Sequence, residues 1–536
     1  MRSTVEVSNV RRILCVFPHY TPSFGTFSHA YPLMPGVKAF MPPQGLLVIA
    51  AYLPEKWDVR FIDENLRPAS DEDYQWADAV FVSGMHIQEK QIHVIHEKAK
   101  RFGKVTCIGG SSASGAPEKY PEFDYLHSGE IGDATDQLIR ILDADLTPPA
   151  AQVVLTTVER MPLSDFPLPA YDQLPLKKYL LGSLQFSSGC PYRCEFCDIP
   201  ALYGRQARLK TPEQLLAELD AFISQPAHPA VIYFVDDNFI ANRKATKEML
   251  PHLVEWQKKH DYPLQFACEA TLNMAKQPEI LELMKQAGFF TVFVGIETPE
   301  LDALKAIAKD HNNAVPMFEA LNTLNSYGLE VTSGIILGLD SESDESEQRL
   351  IEFIDRSAVP VLTINILQAL PKTPLWDRLA KADRLIDDPK LESNVKFLRP
   401  HDAVVASWRR AIAHAYSPEN IFSRFRTQMD VTYGNRIKTP AKGKLTRANL
   451  RRGLFMGANI IWQIGVKSDY RGVFWRSAWH ALKKGQIEAI YNMGFVCHHL
   501  IQFTREALRG EHNASFYAAQ KKELGDAGAE RVDVAA

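Results

Sequence analysis

The sequence predicts an α/β protein of three parts: an N-terminal doubly wound, Rossmann-like domain, a partial (β/α)6 TIM-like barrel and a C-terminal α-helical domain. Three observations predict this fold class. Two successive series of short β-branched runs alternate with helical segments, which is the pattern of parallel sheets covered by helices. Strand-like runs then disappear from about residue 390 onward. The chain of 536 residues is too long for one ordinary domain, and its 46% apolar and 23% charged residues exclude a disordered protein.

The first series covers residues 10–145 and contains five predicted strands, RRILCVF, WDVRFID, ADAVFVSGM, VTCIGG and FDYLHSGE. Helical segments such as QGLLVIAAYL and QIHVIHEKAKRF lie between them. In an open parallel sheet the ligand binds beyond the carboxyl ends of the strands. Three of these ends carry small or polar pairs, namely Ser83 with Gly84, Gly109 with Gly110, and Gly129 with Glu130. Residues 146–180 are rich in proline and are predicted to form an extended linker.

The second series covers residues 181–390 and contains six predicted strands, SLQFSSG, AVIYFVDD, LQFACEA, TVFVGIE, EVTSGIILGL and VLTINILQAL. Thr211, Pro212 and Gln214 predict a helix start with a hydroxyl N-cap, a proline at the first helical position and a capping box. The helix PEILELMKQAG is predicted to end at Gly288. Six βα units in succession indicate a partial TIM-like barrel, with its chemistry at the C-terminal ends of the strands.

Three of the seven cysteines are crowded into eight positions, Cys190, Cys194 and Cys197, directly after the first strand of this second series. Seven cysteines are too few for a disulfide scaffold in a chain of this length. Thiolates are soft ligands suited to iron–sulfur clusters, and three of them can hold three irons of a cubane and leave the fourth iron open. Structural zinc needs a fourth ligand, and no neighbouring Cys or His offers one. A zinc site with a distant ligand and three ordinary cysteines are the alternative interpretations.

The CxxxCxxC loop resembles the signature of the radical S-adenosylmethionine (SAM) superfamily, including the aromatic Phe196 just before the last cysteine. The resemblance implies a [4Fe–4S] cluster whose open iron is chelated by SAM. It also implies one-electron cleavage of SAM to a 5′-deoxyadenosyl radical that abstracts hydrogen from an unactivated C–H bond. No other catalytic side chain is assigned from the sequence.

The same resemblance implies that the barrel strand ends hold SAM. The residues expected to contact it are Phe196, Asp236, Asp237, Glu269, Glu297, Gly334 and Gly338. Asp236 and Asp237 stand where the family supplies acceptors for the SAM ammonium, and Glu297 could bind ribose hydroxyls. The segment GIILGLDSE resembles the glycine-containing fifth strand near adenine, but Asp340-Ser341 stands where Pro-Gly is common. The geometry of that turn is therefore left open by the sequence.

An N-terminal doubly wound domain before a radical SAM barrel looks like the cobalamin-binding domain of class B methyltransferases. The widespread D-x-H-x-x-G motif is absent, and His19, His86 and His127, the histidines nearest the strand ends, do not sit in it. Two interpretations follow: cobalamin bound without a histidine ligand, which we favour, or a domain that has lost the cofactor. The expected cobalamin contacts are Ser83, Gly84, Gly109, Gly110, Gly129 and Glu130. Methylcobalamin would donate its methyl group to a substrate carbon radical and be remethylated by a second SAM.

The C-terminal region, residues 391–520, is predicted to be helical and basic. Residues 391–510 hold 20 Lys and Arg against 7 Asp and Glu, a local charge of +13 in a chain whose net charge is −4. The apolar run GLFMGANIIWQIGV, near residues 453–466, is flanked by KGKLTRANLRR and VFWRSAWHALKK. An interfacial helix on an anionic membrane and a buried core helix are both compatible with this pattern, and nucleic-acid binding ranks last. Residues 521–536 are predicted to be a disordered tail.

Several longer phrases resemble one branch of the superfamily, the cobalamin-dependent hopanoid C-2 methylases of bacteria. They include YTPSFGTFSHAYPLMPGVKAFMPPQGLLVIAAYLPE, SSGCPYRCEFCDIPALYGRQARLKTPEQ and LQALPKTPLWDRL. The resemblance implies methyl transfer to C-2 of the A-ring of a hopanoid, a flat pentacyclic membrane lipid, with an external reductant of the flavodoxin or ferredoxin type. A bacteriochlorophyll-type tetrapyrrole methylase or cyclase, and a non-catalytic iron–sulfur redox or docking protein, remain as alternatives.

The expected location is the cytoplasm, with peripheral contact at the inner membrane. The N-terminus lacks the apolar core of a signal peptide, and no run reaches the roughly 18 uninterrupted apolar residues of a transmembrane helix. We therefore expect neither a secreted nor a membrane-spanning protein.

Overall fold

The structure is a computed structural model that describes residues 2–388, 391–438 and 447–514. Contacts divide the chain into two compact units. Unit 1 comprises Met1–Thr21, Val37–Tyr192 and Asp198–Asn242, and unit 2 comprises Pro22–Gly36, Arg193–Cys197 and Arg243–Ala536. The domain boundaries derived from the sequence stay predictions.

Unit 1 contains a six-stranded, fully parallel sheet with the order β2-β1-β3-β4-β5-β6. Its strands are β1 (Arg12–Phe17), β2 (Asp58–Asp63), β3 (Ala79–Ser83), β4 (Val105–Gly109), β5 (Tyr125–Ser128) and β6 (Val153–Thr156). The five predicted strands are confirmed. The sixth, β6, lies in the segment predicted as a linker, where its four residues were obscured by the prolines before it.

Helices cover this sheet, and α3 and α5 each bury one largely apolar face. They are α1 (Gln44–Tyr52), α2 (Asp71–Trp76), α3 (Glu89–Arg101), α4 (Gly110–Gly115) and α5 (Asp133–Ala144). Leu14, Val16, Val80, Val82 and Ile108 of the strands are almost inaccessible to solvent in a core shared with residues of α3. The predicted doubly wound architecture is therefore confirmed.

The remainder of unit 1 begins the second strand–helix series. It contains β7 (Gly182–Leu184), β8 (Ser187–Ser188), α6 (Ile199–Leu202), β9 (Arg208–Leu209), α7 (Pro212–Ile223) and β10 (Val231–Phe234). The Thr211 side chain accepts a hydrogen bond from the Gln214 backbone N–H, as predicted for an N-cap. The predicted capping box is wrong, because the Gln214 amide donates instead to the carbonyl oxygens of Leu163 and Phe166.

Unit 2 continues the series with four parallel strands and the helices between them. The strands are β11 (Gln265–Ala270), β12 (Phe289–Glu297), β13 (Glu330–Leu337) and β14 (Val361–Ile366). The helices are α8 (Arg243–Lys259), α9 (Pro278–Ala287), α10 (Leu301–Ala306), α11 (Met317–Ser326), α12 (Ser346–Ser357) and α13 (Pro374–Lys381). Gly288 ends α9 in a left-handed conformation with φ of 90°, as predicted. The four strands of unit 2 pair in parallel with their neighbours in chain order, as a strand–helix series requires.

From His401 onward, the regular elements of the described residues are all helical. They include α14 (His401–Ala415), α15 (Pro418–Val431), α16 (Arg447–Ile460), a π-helical segment (Ile461–Lys467), α17 (Arg471–Lys483) and α18 (Ile487–Leu508). The apolar run 453–466 forms the end of α16 and the π-helical segment, with Ile460 and Ile464 buried and Ile461 and Trp462 exposed. A helix buried on all sides is therefore excluded. The predicted disordered tail, residues 521–536, lies outside the described residues, and so do residues 442–446 at the start of the basic flank.

None of the helices in the described part of the chain combines the length and the apolar character that crossing a bilayer requires.

Candidate functional site

The cysteine loop follows β8 and differs from the rest of the cysteines in accessibility. Cys190, Cys194 and Cys197 are half-buried, whereas the other four cysteines are buried. The Cys190 N–H donates to the carbonyl oxygen of Gly204 (3.2 Å), and the Cys197 N–H donates to that of Cys194 (3.1 Å). These backbone bonds hold the loop at Cys190 and between Cys194 and Cys197.

The donor set fits an iron–sulfur cluster better than a single metal ion. Within the described residues, no three His, Cys, Asp or Glu side chains are arranged to hold one ion. A cubane presents a separate iron to each thiolate, so three thiols spread along one loop suit it. By contrast, burial raises the pKa of the Cys15 thiol to about 12, and burial also raises that of Cys107, so these two are poor ligands.

Asp236 and Asp237, predicted to contact SAM, both follow β10 but have different surroundings. Asp236 is almost inaccessible, and its carboxylate accepts hydrogen bonds from the backbone N–H groups of Phe186 and Ser187 and from the Ser187 hydroxyl. It therefore holds the bend that leads into the cysteine loop. Asp237 accepts a hydrogen bond from the Gly189 N–H (2.7 Å) and lines a cavity. Burial raises the pKa of Asp236 to about 6 and that of Asp237 to about 7.

That cavity, of about 270 Å³, lies in unit 1 at the carboxyl ends of β3, β4 and β5. It has room for part of a ligand as large as cobalamin. Five of the six residues predicted to contact cobalamin line it, namely Ser83, Gly109, Gly110, Gly129 and Glu130. Gly84 does not; a Cβ there would meet Gln88 and Ile92 instead.

Two of the cavity glycines are required by the backbone. Gly110 has a φ of +89°, and a Cβ there would collide with the Ser83 hydroxyl. Gly129 has a φ of +111°, and a Cβ there would lie 2.9 Å from the Cβ of Thr157. Because both positions exclude side chains, the backbone itself forms this part of the cavity wall, which allows a ligand to approach closely.

Glu130 is held by ion pairs. Its carboxylate pairs with Arg208 and with Arg160 (3.3 Å) and accepts a hydrogen bond from the Ser188 hydroxyl (3.2 Å). Arg208 also donates to Ser188 (3.0 Å), which stands two residues before Cys190. Glu130 therefore connects the first sheet to the base of the cysteine loop, a role that its isolated position in the sequence does not predict.

The histidines near the strand ends have unequal positions. His127 lines the cavity, bonds to Thr135 through Nε2 (2.9 Å), and has its pKa lowered by burial to about 4, so the imidazole is neutral at pH 7. His86 bonds to the Ser112 hydroxyl through Nδ1 (3.2 Å), and burial lowers its pKa. His19 does not line the cavity.

In unit 2, Glu297 ends β12 with a φ of 65° and forms a buried ion pair with Lys309. The Lys309 ammonium lies 5.5 Å from the centre of the ring of Phe196, which belongs to the cysteine loop. Burial lowers the pKa of Lys309, but the charges of Glu297, Cys194 and Cys197 outweigh burial, and the pKa lies above its ordinary value. A permanent cation thus stands beside the thiols. No motif marked Lys309 in the sequence.

Gly334 and Glu269 complete the predicted SAM set on these strands. A Cβ at Gly334 would lie 3.6 Å from a carboxylate oxygen of Glu297, so the structure brings these two residues together. Glu269 is half-buried near the end of β11. Gly338 has a φ of +90° and packs against Phe397, where a Cβ would not fit.

The turn after β13, left open by the sequence, is a β-turn. The Glu342 N–H donates to the Leu339 carbonyl (3.0 Å), with Asp340 and Ser341 at the central positions. Asp340 accepts hydrogen bonds from Arg378 (2.6 Å) and Arg384 (2.6 Å).

Arg378 also connects this turn to the cysteine loop. Its guanidinium pairs with Glu195 (2.5 Å and 3.1 Å), which stands between Cys194 and Phe196. The Glu195 backbone is held as well, since its N–H donates to the carbonyl of Ile307 (2.9 Å) and its carbonyl accepts from the N–H of Leu375 (2.9 Å). These contacts fix the centre of the loop.

Comparison with known proteins gives two matches to family models. The model of the radical SAM superfamily matches residues 184–354, and a model described as a domain of unknown function (DUF4070) matches residues 373–513. Hopanoid C-2 methylase of Rhodopseudomonas palustris (strain TIE-1) is 58% identical over 513 residues, which are 96% of this chain and 97% of that protein.

Two solved structures share the fold at 14% identity. The cobalamin-dependent SAM radical enzyme OxsB, with aqua-cobalamin and SAM bound, has a TM-score of 0.60 and covers 97% of this chain and 84% of its own. The radical SAM methyltransferase TsrM from Kitasatospora setae, with cobalamin and a [4Fe–4S] cluster bound, has a TM-score of 0.58 over 94% of this chain and 100% of its own. The chain belongs to the radical SAM superfamily and, within it, to the family of hopanoid C-2 methylase.

Proposed function

We propose that the protein is a radical SAM methyltransferase that methylates C-2 of the hopanoid A-ring. The observation that carries this proposal is the 58% identity to hopanoid C-2 methylase, which extends over 96% of the chain and so includes the C-terminal helices as well as the barrel. Residues 10–145 would bind cobalamin, and residues 181–390 would bind the cluster and SAM. Residues 391–520 would form the side of the protein that contacts lipid.

A [4Fe–4S] cluster, SAM and methylcobalamin would supply radical generation and the methyl group. The chain would position them. Cys190, Cys194 and Cys197 hold the cluster, and Asp236 and Asp237 fix the backbone before Cys190. The residues proposed for SAM are Phe196, Asp237, Glu269, Glu297, Gly334 and Gly338, with Asp236 as a support. The residues proposed for cobalamin are Ser83, Gly109, Gly110, Gly129 and Glu130, with Gly84 behind them.

Asp237 gives the proposal a pH dependence. The pKa of Asp237 is raised by burial to about 7, so the carboxyl is protonated below that pH and ionised above it. If ionised Asp237 accepts the SAM ammonium, SAM affinity should rise with pH up to about 7 and then level off. We expect the Kd at pH 6 to be about tenfold higher than at pH 8, one pKa unit of deprotonation being worth a factor of ten. Anaerobic equilibrium dialysis with labelled SAM measures this.

Asp237→Asn should bind SAM weakly with a flat pH profile, because the amide does not titrate. Asp236→Asn is the matched control. Within the described residues, the Asp236 carboxylate bonds to the backbone of Phe186 and Ser187 and to the Ser187 hydroxyl. The Asp236→Asn variant should therefore have a lower unfolding temperature and keep the pH-dependent Kd. A wild-type Kd that does not change between pH 6 and pH 8 would remove Asp237 from SAM binding.

We further propose an external one-electron reductant of the flavodoxin or ferredoxin type and peripheral contact with the inner membrane from the cytoplasmic side. A nucleic-acid partner is not proposed, since the basic C-terminal helices interleave their charges with apolar side chains.

The decisive assay incubates the anaerobic holoenzyme with SAM, methylcobalamin, a reductant and a hopanoid. We expect a product heavier by one methyl group, together with 5′-deoxyadenosine, by mass spectrometry. Methylation of a tetrapyrrole and not of a hopanoid would assign the enzyme to the bacteriochlorophyll branch. A bound cluster without any 5′-deoxyadenosine would favour a redox or docking protein.

A further inference from the structure

The C-terminal helices of unit 2 expose an apolar surface that is exceptional for this chain. Of the 19 exposed large hydrophobic side chains among the described residues, ten lie between Leu450 and Ile487. We define the apolar surface by six of them, Leu454, Phe455, Trp462, Val466, Trp475 and Trp479. Trp479 is 60% exposed and Trp462 54% exposed. Exposed apolar patches of this kind mark interaction sites.

The surface is one face of a packed assembly and not the result of loose helices. In α17, Phe474, Ala478 and Ala481 are buried, while Trp475 and Trp479, four residues apart, share the opposite face. In the segment before it, Ile460 and Ile464 supply the buried side. The two helices thus turn their apolar outer faces to solvent although their inner faces are already packed.

Trp475 fixes the two helical segments to each other. Its indole N–H donates to the carbonyl of Gly465 (2.8 Å), and a Cβ on Gly465 would lie 2.9 Å from the indole ring. Gly465 therefore makes the close approach of the ring possible, and Trp475 still keeps 45% of its surface exposed. The surface is held in a fixed shape before any partner binds.

Positive charge surrounds this surface. From Arg447 to Lys484 the sequence holds eight Lys and Arg and one acidic residue, Asp469, which is itself paired with Arg505 (2.7 Å). The Lys467 and Lys483 ammonium groups lie 5.2 Å and 5.6 Å from the ring centres of Trp462 and Trp479. Tryptophan with adjacent lysine is the pairing that suits the boundary between lipid headgroups and acyl chains.

Charge and composition together select the partner. A second copy of the chain would bring two strongly basic faces together, which like-charge repulsion disfavours. A nucleic acid would engage the basic groups but would leave Leu454, Phe455 and Val466 exposed. An anionic bilayer satisfies both features, since the headgroups attract the lysines and arginines while the apolar side chains enter the interface.

We propose that this apolar surface docks on an anionic lipid bilayer and lies in the plane of its interface. The inference deepens the proposed function and rests on its peripheral membrane contact, for which it names the surface and the class of lipid. Docking itself depends on the surface and not on the cofactors or on the identity of the methyl acceptor.

The test is sedimentation of the full-length holoenzyme with vesicles, without SAM and without hopanoid. Vesicles of phosphatidylcholine containing about one third phosphatidylglycerol should bind the protein, and phosphatidylcholine alone should bind it at least about tenfold less. Trp462→Ser combined with Trp479→Ser should lower the partition coefficient by about tenfold or more. Lys467→Gln combined with Lys483→Gln should lower it on anionic vesicles only and should reduce its dependence on salt.

A matched control is Val158→Ser combined with Leu398→Ser, which removes two highly exposed apolar side chains outside the surface. It should bind as the wild type does. The proposal would be overturned if the Trp462/Trp479 variant bound vesicles as well as the wild type, or if the wild type did not bind them. A concentration-dependent dimer of the wild type that this variant abolishes would also overturn it. Because methylation of a detergent-dispersed hopanoid needs no bilayer, that assay distinguishes loss of docking from failure of the proposed function.

Discussion

Replacing any one of Cys190, Cys194 and Cys197 with Ala is expected to abolish reductive cleavage of SAM. Each replacement removes one thiolate from a set that already has only three members, so the cluster loses an iron ligand. All three side chains are half-buried in a loop, and the fold should therefore survive. The measurements are iron content, the visible absorption of the reconstituted protein, and 5′-deoxyadenosine released under a strong reductant.

Cys268→Ala is the matched control for these variants. Cys268 is buried in β11, so its replacement should cost about 1 kcal/mol of stability through a small cavity and should leave the cluster and SAM cleavage intact. A triple variant at positions 190, 194 and 197 that still binds iron and cleaves SAM at the wild-type rate would refute the assignment of the cluster to this loop.

The cysteine loop illustrates what local sequence can predict. Its three candidate ligands, its preceding strand and its position in a strand–helix series are all encoded within a few residues, and so are the N-cap at Thr211 and the helix end at Gly288. The sequence predicts a site at the strand ends because parallel strands share one carboxyl edge. The cavity in unit 1 accordingly gathers residues of three strand ends that are far apart in the chain.

Side-chain partners across the fold could not be predicted in the same way. Glu195 pairs with Arg378, which lies 183 residues further along the chain, and nothing near either residue indicates the other. Gln214 satisfied the pattern of a capping box, but two carbonyl groups about 50 residues away compete successfully for its amide. Asp340 departs from the family pattern, and the sequence does not indicate that its carboxylate accepts hydrogen bonds from Arg378 and Arg384.

Lys309→Met is expected to be the most destabilising single change near the cysteine loop. Lys309 and Glu297 are both less than one tenth exposed, so loss of the ammonium leaves a buried carboxylate without its partner. Breaking a buried ion pair on one side typically costs about 3–5 kcal/mol. Chemical denaturation of the anaerobic protein should show a loss of this size, and methionine keeps most of the volume of the lysine side chain.

The double variant Glu297→Gln/Lys309→Met separates stability from the electrostatic effect on the cluster. It removes both charges, so most of the lost stability should return. Loss of the Glu297 carboxylate favours the reduced cluster, but the charge that interacts with Cys194 and Cys197 is the Lys309 ammonium, and it is still absent. A reduced cluster carries one more negative charge than an oxidised one. The reduction potential should therefore become more negative, by on the order of tens of millivolts, in a redox titration followed by electron paramagnetic resonance.

Lys210 and Glu218 form a comparable, fully buried ion pair in unit 1, and Glu218→Gln/Lys210→Met should change stability without a shift of that size. An equal shift in both double variants would mean that Lys309 acts through packing alone, whereas a shift confined to the Lys309 variant would identify its ammonium as the group that makes the cluster easier to reduce.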